Sequence, residues 1–161
     1  MHRRHLLGLA AASLFTLSGC SYLGMGSGAS STPNAPAPMP APNLTGTWVP
    51  RQAELGGRDY AIGNFHNATL TVNAQGDYEF GPDKGRITLL PGQQPPYKMD
   101  IQGRQGPNAG RTILAAYAME NEELTVCYQL ARDGERPGSL VSPDGSAVLL
   151  VRYKRLVPAR G

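Results

Sequence analysis

The sequence predicts an all-β domain over residues 44–161: a small antiparallel up-and-down barrel of about eight strands. Three observations carry that expectation. Apolar and polar residues alternate in short runs, and Gly, Pro, Asn and Asp gather between the runs at hairpin spacing. No amphipathic helical pattern of ten or more residues occurs. Closing such a sheet removes its exposed edges. A two-sheet β-sandwich fits the same pattern.

The runs follow one another in order. "TGTWVP" at 45–50 opens the domain, and in "NATLTV" at 67–72 Ala68, Leu70 and Val72 alternate with Thr69 and Thr71, the period of a half-buried strand. "NAQG" at 73–76 turns the chain into "DYEF", and "GPDKG" at 81–85 turns it into "RITLL". "YKMDIQ" at 97–102 puts Tyr97, Met99 and Ile101 on one face. "RTILAAYAM" at 111–119 and "LTVCYQL" at 124–130 are joined across "ENEE", the pattern of an antiparallel hairpin. After "SPDGS" at 142–146, "AVLLVRYKRL" forms a last strand with Ala147, Leu149, Val151 and Tyr153 on one face. The 118 residues of this domain suffice to bury roughly 65% of their unfolded surface.

What precedes residue 44 differs in kind. "MHRRH" is a basic head, and Leu6–Leu17 is apolar for only twelve residues, too short to cross a ~30 Å hydrocarbon core, which takes about 20. Basic head, short apolar run and small residues before a cut site have the layout of an export signal. "LSGC" at 17–20 resembles the lipobox of bacterial lipoproteins. The resemblance implies cleavage before Cys20, acylation of its sulfur and amino group, and attachment of the chain to a membrane by several acyl chains, which hold where one does not. The expected parts are a signal peptide at 1–19, a lipidated Cys20 with a tether through residue 43, and the barrel at 44–161. Ser21, in place of Asp, favours the outer membrane under the enterobacterial sorting rule, within a bacterial cell envelope. Residues 21–43 are Gly/Ser-rich and then hold five prolines between Pro33 and Pro42. Such a segment buries little and reads as a disordered spacer with a reach of at most about 70 Å.

Charge excludes one class of partner. Loss of Arg3 and Arg4 with the signal leaves 13 Lys and Arg against 12 Asp and Glu, with no basic cluster for nucleic acid. With Cys20 acylated, Cys127 has no intrachain partner and reads as a small buried hydrophobe. His66 is the sole histidine after the leader, and neither a metal-ligand spacing nor a Gly-x-Ser-x-Gly motif is present. Glu120, Glu122 and Glu123 cluster on a hairpin tip, where no shielded cleft is expected. The expectation is therefore a non-enzymatic protein without cofactor or metal.

"LTGTW" at 44–48 resembles the Gly-x-Trp signature that opens lipocalin-type barrels. With "GGRDYAI" at 56–62, "QGPNAGRTILAAYAMENEELTVCY" at 105–128, "ERPGSL" at 135–140 and "AVLLVRYKR" at 147–155, the chain is similar to a lipocalin-like family of bacterial exported proteins, common in planctomycetes and of uncharacterised function. It departs from that family at Val126-Cys127, where the family has Leu-Cys, and around Leu140. The resemblance implies that Gly46 and Trp48 sit at the closed end of the barrel, with Trp48 under an arginine of the last strand, Arg152 or Arg155. It also implies a small apolar or amphipathic ligand as partner; contact with envelope proteins or the cell wall through the outer surface is the alternative. A loop as long as 131–146 is either mobile or functional: mobility is the plainer expectation, and the functional alternative places Arg132 and Arg136 at the barrel mouth, where they would meet an anionic group.

Overall fold

The computed structural model describes residues 40–92 and 94–157. The expected signal peptide, Cys20 and the tether up to residue 39 lie outside the described residues. Nine strands follow: β1 (Gly46–Leu55), β2 (Arg58–Asp59), β3 (Leu70–Val72), β4 (Asp77–Phe80), β5 (Asp83–Leu89), β6 (Tyr97–Gln105), β7 (Thr112–Glu120), β8 (Glu123–Gln129) and β9 (Val148–Arg155). All pairings are antiparallel, in the order β2-β1-β3-β4-β5-β6-β7-β8-β9, and β1 also pairs with β9. That pairing closes β1 and β3–β9 into an eight-stranded up-and-down barrel of lipocalin-like architecture. β2 is a two-residue flap folded back on β1 through Gly56-Gly57. One 3₁₀ turn, Ile62–Phe65, is the sole helical segment among the described residues.

The first strand runs further than "TGTWVP" implies, and a bulge explains how. Pro50 faces Tyr153 and Gln52 faces Arg152, leaving Arg51 without a partner in the β1–β9 ladder. Because side chains alternate with period two, the extra residue reverses the parity of the strand. Trp48 and Pro50 are buried before the bulge, and Ala53 is buried after it. One strand thus serves the interior at both ends while bending enough to close on β9.

The interior belongs to the expected alternating residues: Leu70 and Val72, Tyr97, Met99 and Ile101, and Val151 and Tyr153 all join one core. Ala41 and Leu44 pack against the same core, so ordered packing begins just ahead of the first strand. In "GPDKG" only Gly81-Pro82 turns, since Asp83 and Lys84 already pair with Phe80 and Glu79. The β7–β8 hairpin is equally tight. Glu120 faces Glu123, and Asn121 and Glu122 take φ of 47° and 64°, the left-handed pair a two-residue type I′ turn requires.

Left-handed backbone suits Gly or Asn, and costs a residue with a longer side chain about 1 kcal/mol or more. Glu122→Gly is therefore expected to raise unfolding stability by about 1 kcal/mol at unchanged urea m-value. A lower midpoint would show that the glutamate side chain, not its strain, dominates at this turn.

Candidate functional site

The two ends of the barrel are chemically distinct. At one end Trp48 is fully buried, and its Nε1 donates to the Leu44 carbonyl at 2.9 Å. The Arg155 guanidinium carbon lies 4.2 Å from the Trp48 ring centroid, and Nη1 of the same group donates to the Thr45 carbonyl at 2.7 Å. Gly46 makes room for this arrangement. Its φ is +136°, and a Cβ there would come within 2.5 Å of Arg155 Nη1. Arg152 is placed otherwise: it is exposed on the outer face, opposite Gln52 and Thr125 in the ladders. Of the two arginines the sequence offered, Arg155 stacks on the indole.

At the other end the β4–β5 and β6–β7 connections and the segment between β1 and β3 meet the end of β8, and the barrel is not filled. A cavity of about 160 Å³ is lined by apolar side chains from nearly every strand, among them Leu70, Ile87, Met99, Ile101 and Ile113. Leu44 and Leu124 lie at its deeper part, and half-buried Phe65, Phe80, Leu130 and Leu149 surround its outer part. Tyr60, Phe65 and Phe80 form an aromatic lip, with successive ring centroids 5.5 Å apart. A polar belt ties the rim. Asp83 accepts from the Asn108 backbone N–H at 3.0 Å and from its Nδ2 at 2.6 Å. Arg111 donates to Asn108 Oδ1 at 3.2 Å and to the Leu130 carbonyl at 2.7 Å. These bonds link the β4–β5 and β6–β7 connections to the end of β8 at the rim of the opening.

Hydroxyls are the polar content of the interior. Tyr128 and Tyr153 both face the cavity with their hydroxyl oxygens 2.9 Å apart. Tyr117 is fully buried, and its hydroxyl has no partner among the described residues. Burial holds all three phenols above their ordinary pKa, Tyr117 up to about 12, because an apolar surrounding disfavours the phenolate. They act as neutral donors. Tyr97, Tyr117, Met119 and Tyr153 are bulky enough to fill a barrel of this size; Tyr97 and Tyr117 pack ring to ring at 5.5 Å, yet the space beyond them stays open.

The loop 131–146 does not line this mouth; it crosses the outside of the barrel as a strap. Arg136 forms an ion pair with Asp100 and donates to the Met99 and Ala115 carbonyls, so its charge is already engaged on the outer faces of β6 and β7. Arg132 remains exposed. Ser142 accepts from Gly57 N–H and donates to the Val148 carbonyl, pinning the strap to the β1–β2 turn and to the start of β9. Beneath it, Cys127, Val148 and Leu150 form a second apolar cluster with Leu140 against it. Burial raises the Cys127 thiol to about 11, which keeps it protonated and unreactive at neutral pH. His66 and Glu120, Glu122 and Glu123 are exposed, and no grouping of three metal-ligating side chains occurs among the described residues.

The stack and hydrogen bond at Arg155 give it a stabilising role that Arg152 lacks. Arg155→Ala is expected to cost about 2 to 4 kcal/mol of unfolding free energy, read through the single tryptophan, whereas Arg152→Ala stays within about 0.5 kcal/mol. Equal effects would contradict this division. The chain matches no protein-family model, no curated protein and no solved structure.

Proposed function

We propose that this chain is a bacterial cell-envelope lipoprotein, anchored through acyl chains on Cys20, whose barrel is a non-catalytic module that binds a small apolar or amphipathic molecule. The supporting observation is the interior itself: an apolar cavity of about 160 Å³ beneath a half-buried aromatic lip. A cavity of roughly 150 Å³ with aliphatic and aromatic walls stays dry and accepts benzene. Drug-sized or long-chain ligands need about 300 Å³ or more, so the occupant is ring-sized. Among the described residues no general base with a positioned nucleophile stands at this cavity; the one carboxylate in its lining, Asp83, is held by Asn108.

The anchoring half of the proposal rests on the "LSGC" sequence. Among the described residues, Leu44 at the start of the domain meets the indole of Trp48. A second reading, contact with an envelope protein through the outer surface, draws support from exposed Val141 on the strap and from exposed Leu156 and Val157 beyond β9. In that case the barrel would serve as a frame and its cavity would be incidental.

Benzene at ten times its dissociation constant is expected to add about 1.4 kcal/mol to the unfolding free energy, and Ile87→Phe, which fills part of the cavity, removes that gain. Absence of any benzene effect in the wild type favours the frame reading. For the anchor, Cys20→Ala is expected to abolish metabolic labelling by a palmitate analogue, and persistence of label would contradict lipidation.

A further inference from the structure

The cavity wall holds a proton with no protein acceptor among the described residues. When two hydroxyls share one hydrogen bond, one proton lies between the oxygens and the other is left over, whichever residue donates. Tyr128 and Tyr153 are such a pair, at 2.9 Å. Neither makes a further hydrogen bond among the described residues, and both line the cavity. Tyr153 is buried at 3% exposure and Tyr128 is half-buried, and both line the cavity, so the spare proton is left for whatever occupies it, an occupant or a water. Tyr117 Oη, buried and unpartnered in the same barrel, adds to the surplus of donors. A buried donor left unmet is costly, and the cost is relieved by an occupant that brings an acceptor.

The sign of the occupant follows from the rest of the lining. Asp83 is the one charged residue among those lining the cavity, and no Lys or Arg is among them. A carboxylate entering this space would lose its hydration, face Asp83 and find no cation, an unfavourable combination. A cation would find Asp83 already hydrogen-bonded to Asn108 at the rim. A neutral acceptor meets neither penalty.

We propose that the cavity takes a neutral, ring-sized carbonyl compound whose oxygen accepts a hydrogen bond from the Tyr128–Tyr153 hydroxyl pair while its ring lies against Ile87, Met99, Ile101 and Ile113. The inference rests on the binding reading above and names the ligand class for it. A cavity of about 160 Å³ accommodates an occupant of roughly six to eight non-hydrogen atoms, judged from the benzene-sized precedent. The two phenols differ in kind from the aliphatic walls. They supply orientation, and the walls supply the area removed from water.

Two isosteres test it on the full chain: cyclohexanone and methylenecyclohexane, which differ in a C=O against a C=CH₂. In the Tyr128→Phe/Tyr153→Phe double variant, ketone affinity relative to the alkene is expected to fall about tenfold, with alkene binding preserved. An unchanged ratio, with both probes still bound, overturns the carbonyl inference and leaves cavity binding standing. Failure of both probes to bind the wild type overturns the binding reading as well. A second measurement needs no variant: the infrared carbonyl band of cyclohexanone bound to the wild type is expected at lower wavenumber than in alkane solvent. An unshifted band overturns the inference, whether the pair is then free or holds a water.

Discussion

Everything distinctive in this molecule depends on β1 running along β9. The sheet would otherwise be an open ribbon whose inner face met water along its length. Seven residue pairs, interrupted by the bulge at Arg51, close it. Without the bulge, the parity that buries Trp48 would expose Ala53, and the strand would serve only one end of the barrel. Arg155 completes the closure. It lies across the indole, reaches the chain ahead of β1, and occupies space that a side chain at residue 46 would need.

Closure then divides the interior. The Trp48 end is filled by large side chains in contact, and the opposite end is shaped by its connections. There the Asp83–Asn108–Arg111 belt ties the β4–β5 and β6–β7 loops to the end of β8 around the cavity. The strap contributes from outside. By covering Cys127, Val148 and Leu150 it lets β8 and β9 be apolar on both faces, and by engaging Arg136 with two β-strand carbonyls and Asp100 it is fastened to the wall rather than left at the mouth.

Much of the barrel was legible in the sequence because its strands obey period two and its turns use Asn and Gly. Tyr97, Met99 and Ile101 were assigned to one face by spacing alone, and they lie in the core. The strap was not legible, because the partners of Arg136 are two backbone carbonyls and an aspartate some 36 positions away, a relation no local pattern carries. One signal was present: Cys127, Val148 and Leu150 are apolar at outward positions, which requires a cover. The rim belt was hidden in turn segments where Asp and Asn have a local explanation. Tyr128 was within reach, since the alternation Leu124, Val126, Tyr128 points it inward, but its pairing with Tyr153 depends on how far each side chain extends along the barrel axis.

An open, apolar interior is the feature on which the functional reading turns, and xenon reports on it without presuming any ligand. In a crystal of the protein held under xenon gas, one xenon atom is expected inside the barrel, in van der Waals contact with Ile87, Ile101 and Ile113. An interior without xenon, its volume taken up by the Tyr128 and Tyr153 rings, would contradict a binding cavity.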